Sequence, residues 1–273
     1  MLHKTWENVR LLSEGREELW EIFHENSKLG RYDSLIAPEA VSRRMSTLWE
    51  SLPYEQYRTF ELPTTLQPFK MSLAEAMTGR ATARGMEPVP LSMATLATIL
   101  YHGYGITRDN TDTGMPRPFR TVPSGGALYP LELFLHAGRV EHLPPGLYHY
   151  NPSQNVVRLL VGGDRSQDIC DGVAQGSLVL ESSLVVFITA LFERSTFKYG
   201  ERGYRFVLLE AGHVAQNINL ATTALELACV NVGGFLDRQI DELLGLDGLT
   251  HSTVYMICIG TKVDPARRPQ DSL

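Results

Sequence analysis

The sequence predicts a fold in which helices interleave with strands without pure βαβ repetition, with one long helix through its centre. Three observations carry that prediction. First, short apolar runs at 131–136, 147–150, 156–160 and 184–192 read as strands, and the Asn151-Pro152 turn joins two of them into a hairpin. A hairpin argues against pure βαβ repetition although helices and strands interleave along the chain. Second, Val207, Ala211, Val214, Ile218, Ala221 and Leu225 form one stripe at helical spacing, which predicts a helix over 206–227. At 1.5 Å per residue it is roughly 33 Å long, about the width of a domain. Third, 273 residues with 43% hydrophobic and 21% charged side chains are enough to bury a sizeable core, and exclude collagen-like, disulfide-scaffold and wholly disordered chains.

In chain order, Val9, Leu12, Leu19, Trp20 and Phe23 predict an amphipathic helix over 9–23. Residues 26–68, rich in Pro, Tyr and charge without a sustained period, read as an irregular arm. The helix and arm, 1–70, precede a folded domain, 71–273. Ser72 and Glu75 spell a capping box for a short helix ending at Gly79, and Ser92 caps a second one through Tyr104 with Leu96, Ile99 and Leu100 on one face. A long connection follows over 106–126, carrying Arg108, Arg117 and Arg120; loops of this length are often functional. Beyond the first strands come a helix at 164–175 and the central helix. Strands at 228–233 and 255–259 close the chain, with a helix at 237–244 between them.

A formal charge of -6 and a pI near 5.8 give no global basic field, so a nucleic-acid partner is not expected. The longest apolar run is far shorter than the roughly 20 residues that span a bilayer, and charges at Lys4, Glu7 and Arg10 interrupt any signal-peptide core. A cytoplasmic protein with no membrane partner is the expectation. Cys170, Cys229 and Cys258 form no CxxC pair and read as structural thiols. No metal ligand set, P-loop, GxGxxG fingerprint or GxSxG elbow is spelled out, so no metal is expected.

Several segments could carry chemistry. Pro123, Ser124, Gly125, Gly126 and Ala127 look like a loop whose paired glycines let a ligand approach the backbone, or else a simple turn. Arg80, Thr82 and Arg84 alternate, so in an extended segment they share one side and can clamp an anion; a solvated basic turn fits equally well. Lys262, Arg267 and Arg268 form a second basic cluster after the last strand, which reads equally as another cofactor-phosphate contact, through Arg267, or as a soluble tail. Gly233 and Gly234 close a strand where backbone N–H groups can meet a flat ligand edge, or simply form a tight turn. Lys198 and Tyr199 stand in a run crowded with cations and phenols; a cation beside a phenol favours the phenolate, a usable proton acceptor. On a strand the two would face opposite ways, so the pair works only if this glycine-punctuated segment is irregular. His213, in the central helix, reads as a surface or hydrogen-bonded histidine.

Taken in order, the strings RTVPSGGALYPLELF from Arg120, GLYHYNP from Gly146, FKYGERGYRFVLLEAGHVAQN from Phe197 and GGF from Gly233 resemble the SagB-type azoline dehydrogenases of the nitroreductase superfamily. The likeness runs over about 72–260. It implies an α+β, nitroreductase-like fold, a mixed antiparallel sheet wrapped by helices, with an FMN cofactor and an obligate homodimer whose active sites lie at the subunit interface. It also implies oxidation of thiazoline and oxazoline rings to thiazoles and oxazoles in a ribosomal peptide, beside a cyclodehydratase that makes the rings. By position, Arg80, Thr82 and Arg84 match the phosphate clamp, and Ser124 to Ala127 match a flavin-binding loop. Gly233 and Gly234 match the turn that approaches the flavin ring, and Lys198 with Tyr199 matches the pair that removes the proton. The clamp here reads GRATAR, where the superfamily has an Arg-Arg-Ser-rich form. Two other functions compete: a general NAD(P)H-dependent nitro or quinone reductase, and a non-catalytic scaffold of a cyclodehydratase complex.

Overall fold

The computed structural model describes residues 18–30, 36–110 and 117–263. The chain opens with helices α1 (Leu19–Asn26) and α2 (Pro38–Thr47), the second started by Pro38, whose missing N–H has no partner to lose in a first turn. Strand β1 (Arg58–Glu61), helix α3 (Leu73–Gly79), strand β2 (Met86–Glu87) and helix α4 (Met93–Tyr104) follow. A small hairpin pairs β3 (Ile106–Arg108) with β4 (Phe119–Arg120). Next come strands β5 (Leu131–Ala137), β6 (Gly146–Asn151) and β7 (Val156–Gly162), helices α5 (Ser166–Asp171) and α6 (Ser177–Leu180), and strand β8 (Leu184–Leu191). Helices α7 (Glu193–Tyr199) and α8 (Glu201–Ala224), strand β9 (Leu227–Val232), helix α9 (Asp237–Leu244) and strand β10 (His251–Lys262) complete the described chain.

The main sheet has eight strands in the order β1-β7-β6-β5-β8-β10-β2, with β9 also on β10, and its ladders are antiparallel. Alternation along β8 serves both faces. Leu184, Val186, Ile188 and Ala190 enter the core under α4 and α8, while Val185 and Phe187 enter a second core with Ile169, Ile240 and Leu244. The expected stripe of α8 is buried against the first core. Gly103 lets α4 approach it, since a Cβ there would stand 2.7 Å from Ile218. Among the described residues no helix is long and apolar enough to cross a membrane.

Four expectations change. The 26–68 arm is not irregular throughout: it holds α2, and β1 pairs with β7 at the sheet edge, where a four-residue strand gains its hydrogen bonds from tertiary pairing rather than from its own pattern. The 9–23 helix appears as α1 over Leu19–Asn26, and residues 9–17 lie outside the described ones. The 164–175 helix stops at Asp171, and a separate α6 follows. Here the chain doubles back so tightly that a Cβ on Gly176 would stand 2.5 Å from the Cys170 carbonyl oxygen. Lastly, α8 begins at Glu201 rather than 206, because Gly203 lets its first turn lie on the backbone of α7, where a Cβ would meet Thr196 Cα at 2.8 Å.

Candidate active site

The loop that joins the small hairpin to β5 is built around a 3-10 turn, Gly125–Ala127. Gly126, Ala127 and Tyr129 all adopt left-handed φ, +66°, +53° and +46°. For the two non-glycine residues that conformation costs on the order of 1 kcal/mol or more each, so the surroundings must impose it. They do: the Tyr129 N–H donates to Ser124 Oγ at 2.9 Å, the Arg120 N–H donates to the Tyr129 hydroxyl at 3.0 Å, and the buried Arg117 guanidinium donates to the Leu128 carbonyl at 2.8 Å.

Against this loop stands the end of α7. A Cβ on Gly126 would lie 2.5 Å from Lys198 Nζ and 2.8 Å from the Tyr199 hydroxyl, so glycine is what allows both polar ends to reach the loop. Gly125 faces Phe206 and the Tyr199 ring, which meet edge to face at 4.9 Å between centroids. Lys198 Nζ is 5.0 Å from the Tyr199 ring centroid. The pair therefore converges, but not on the irregular segment expected from sequence: Lys198 and Tyr199 are the last two residues of a helix that Gly200, at φ +53°, terminates. Both side chains are half-buried.

Two cavities meet this wall. One of about 570 Å³ lies over the loop and is lined by Arg108, Arg120, Thr121, Ser124, Gly126 and Tyr129 among others. The other, about 410 Å³ and mainly apolar, lies between α2 and the pair, with Ile36, Pro38, Val41, Ser42 and Met45 facing Lys198 and Tyr199.

The remaining candidates form two further groups. Arg80, Thr82 and Arg84 are exposed on an extended segment tied down by the Ala83 N–H, which donates to the Cys229 carbonyl at 3.1 Å. Pairing of Met86 with Lys262 brings Lys262 to the same corner, so two basic clusters distant in sequence converge. Arg267 and Arg268 lie outside the described residues. Gly233 and Gly234 are exposed after β9, where the Gly234 carbonyl accepts the Ala174 N–H at 3.0 Å. Register separates the groups. Cys229 lies in a row with Ile259, Leu184 and Ala137, at the far end of β5 from Leu131, which directly follows the glycine loop. Six strand residues span about 20 Å.

Two buried glutamates escaped the sequence reading. Glu210 of α8 accepts the Tyr104 hydroxyl at 2.8 Å and faces the Ser124 hydroxyl, and Arg120 lies over the Tyr104 ring at 4.2 Å. Burial pushes its pKa up to about 7, against the opposing pull of Ser124, Tyr104 and Arg120. Glu132 of β5 meets Arg194 at 2.7 Å and His149 at 2.8 Å. Burial would raise it, but Arg194 and His149 overcome that and hold it well below the usual carboxylate range. A signal for Glu210 existed: it falls three residues after Val207 and four before Val214, on the apolar stripe. His213 is exposed, and the thiols of Cys229 and Cys258 are pushed up by burial to about 11 and about 12.

A helix-flanked antiparallel sheet with a long central helix and a glycine loop facing a Lys-Tyr pair defines the class, and comparison places the chain within it. The nitroreductase family matches residues 77–261, and the chain belongs to that family. It is 34% identical over 175 residues to the nitroreductase-like protein MJ1384 of Methanocaldococcus jannaschii, covering 64% of this chain and 85% of that one. It is 30% identical over 176 residues to the microcin B17-processing protein McbC of Escherichia coli, covering 59% of this chain and 58% of McbC. A chain of the E. coli microcin synthetase McbBCD complex, solved with truncated pro-MccB17 bound, superposes with a TM-score of 0.58 at 23% identity, over 90% of this chain and 92% of that one. Membership makes the protein an FMN-dependent oxidoreductase.

The residues present fit FMN. The cavity over the loop is lined by Gly126, which carries no side chain, and the Thr121 hydroxyl in its wall is buried without a partner, ready for a polar ring edge. The exposed cations Arg80, Arg84 and Lys262 suit a phosphate.

Proposed function

We propose that this protein is an FMN-dependent dehydrogenase that oxidises thiazoline or oxazoline rings to thiazoles or oxazoles in a ribosomally made peptide. The observation that carries this reading is the convergence of Lys198 Nζ and the Tyr199 hydroxyl on Gly126, between the loop cavity and the apolar chamber under α2. A reductase that only delivers hydride needs no base at this point. Aromatisation does: a proton leaves one ring carbon and a hydride leaves its neighbour. FMN, when bound, supplies the acceptor for the hydride. Tyr199 takes the proton, with Lys198 Nζ beside its ring. The chamber gives the ring a mainly apolar wall while that transfer occurs. Pro123, Ser124, Gly125, Gly126 and Ala127, together with Gly233 and Gly234, would hold the flavin ring, and Arg80, Thr82 and Arg84 would hold the phosphate.

The acting unit is a homodimer. About 20 Å of sheet separates the basic corner from the glycine loop within one chain, so a second copy brings one corner toward the other's loop. On α8, Tyr204, Leu208 and Leu209 are exposed at 37%, 42% and 60%, an apolar stripe suited to burial against that copy. The peptide reaches the site alongside a cyclodehydratase that has made the rings.

Incubation with an azoline-containing peptide tests the reading by the loss of two hydrogens per ring in the mass spectrum. Tyr199→Phe and Lys198→Ala should each lower that oxidation by about 10²- to 10⁴-fold, the usual scale for a general base, with FMN content unchanged. Arg80→Ala and Arg84→Ala should instead loosen FMN. Near-normal oxidation in the Tyr199 and Lys198 variants would move the assignment to a general nitro or quinone reductase. Flavin lost in step with activity would make the pair part of the cofactor site.

A further inference from the structure

The wall that faces Lys198 and Tyr199 comes from outside the span that the family shares. The family match begins at residue 77, whereas the chamber over the pair is closed by Pro38, Val41, Ser42 and Met45 of α2. Their spacing, i, i+3, i+4 and i+7, puts all four on one face of the helix. Val41 and Met45 are 4% and 2% exposed; they pack on Leu128, which directly follows the glycine turn, and on Phe197 and Tyr199 at the end of α7. We propose that α2 is the specificity element of the site: its face is the roof over an apolar side chain that flanks the azoline in the peptide, and Arg117 is the positioning residue that holds this roof over Tyr199. The proposal rests on the assignment of Lys198 and Tyr199 to ring oxidation.

A helix of ten residues is too short to be stable alone, so α2 depends on what grips it. The grip is on the chain at its C-terminal end. Arg117, 3% exposed, donates from Nη1 to the Leu128 carbonyl at 2.8 Å and from Nη2 to the Leu48 and Trp49 carbonyls at 3.3 and 3.2 Å. One side chain thus joins the end of α2 to the glycine loop. Arg120 donates to the Glu50 carbonyl at 3.0 Å, and the Ser51 hydroxyl and Leu52 N–H donate to Glu132, which also meets Arg194 of α7. The consecutive residues 48–52 are thereby tied to both sides of the site. The carbonyls at the end of α2 suit a cation, because the helix dipole is negative there. In stability a buried guanidinium gains little over an apolar side chain of similar size, so what Arg117 contributes is a fixed geometry.

Size and chemistry identify what the roof covers. A dry cavity of about 150 Å³ accommodates one benzene ring. The chamber has about 410 Å³, enough for a five-membered ring at Tyr199 and an aliphatic side chain next to it. Among the described residues that line it, Ser42 alone is polar besides the pair, so a charged or amide side chain would give up its water for little in return. A leucine buried there gains about 10- to 100-fold in affinity over glycine. That gain is the same before and during the reaction, so it lowers KM and leaves kcat.

The test uses the FMN-loaded protein and two peptides with one thiazoline each, flanked on both sides by leucine in one and by glycine in the other. Oxidation is read as mass loss and binding as a change in flavin absorbance. The wild type should favour the leucine peptide by about 10- to 100-fold in kcat/KM, carried by KM. Ser42→Phe fills the chamber from an exposed helix position and should abolish that preference. Arg117→Lys keeps the charge and loses the fork that spans loop and helix. Hydrogen exchange over 38–48 should then quicken by about 10-fold, the worth of one charge-assisted hydrogen bond, while exchange in α8 stays as it was and the leucine preference shrinks through KM. A wild type without the preference overturns the proposal and leaves the chamber to another occupant, such as a second copy of this chain. A preference retained in Ser42→Phe also overturns it, whether or not Arg117→Lys folds. Unchanged exchange over 38–48 in Arg117→Lys overturns the role of Arg117. Leucine-dependent binding without oxidation, lost in Ser42→Phe, supports the roof and overturns the azoline reading. Neither binding nor oxidation of either peptide overturns both.

Discussion

Glu132 and Glu210 are the same side chain at nearly the same depth, 2% and 3% exposed, yet they differ in charge. Glu132 is ringed by donors: Arg194, His149, the Leu52 N–H at 3.2 Å and the Ser51 hydroxyl at 3.2 Å. Glu210 has two hydroxyls for company, and its nearest cation, Arg120, stands across the Tyr104 ring. Burial disfavours both ions, and only a close cation with enough hydrogen bonds reverses it. The difference also separates two tasks. Glu132 fastens three parts of the fold, namely the chain just after α2, the strand β6 and the base of α7, and Arg194 lies one turn of helix before Lys198. Glu210 sits beside the loop and fastens less, which leaves its proton free to come and go near neutral pH.

The largest way to break this comparison is to remove the cation. Arg194→Met leaves Glu132 buried without its arginine and should cost about 3–5 kcal/mol in denaturant unfolding. Adding Glu132→Leu should recover much of that loss, because two apolar side chains replace a pair rather than half of one. If the double variant were as unstable as the single, the cluster's contribution would be shape rather than charge.

Next in size is the pH dependence of stability, in which the two carboxyls act with opposite sign. The folded protein holds the Glu210 proton up to about 7, whereas the unfolded chain releases it near 4.5. Stability from this group is therefore complete below about pH 4.5 and is lost as pH rises through 7, by on the order of 3 kcal/mol. Glu132 works the other way: its contribution is present above the unfolded value and disappears as pH falls through its depressed one. Unfolding from about pH 5 to pH 8 should show the alkaline loss in the wild type and not in Glu210→Gln. An unchanged slope in that variant would place the titrating group elsewhere.

The smallest expected effect sharpens the contact between loop and pair. Gly126→Ala adds a methyl at φ +66° against the flexible ends of Lys198 and Tyr199, and should cost about 1 kcal/mol of stability. Because those ends must move aside, dehydrogenation should fall further than stability does. Equal losses would mean that the loop needs glycine for its backbone alone.

The class of fold, the strands β5 to β8, the capped helices α3 and α4 and the apolar stripe of α8 were legible because each rests on local chemistry: alternation, a serine cap, a 3.6-residue period. The glycines of the loop and the Lys-Tyr string were legible as types of residue in a shared order. Their contact was not, since it depends on α7 folding back between β8 and α8 to set Lys198 and Tyr199 on Gly126. Pairing of Arg84's neighbours with Lys262, the chamber under α2 and the opposite pKa shifts of Glu132 and Glu210 belong wholly to tertiary structure. Sequence spacing determines which face of a helix or strand a side chain takes. What stands on the other side of that face, a cation or a hydroxyl, comes from residues tens of positions away, and that neighbour decides whether a buried carboxyl keeps its proton.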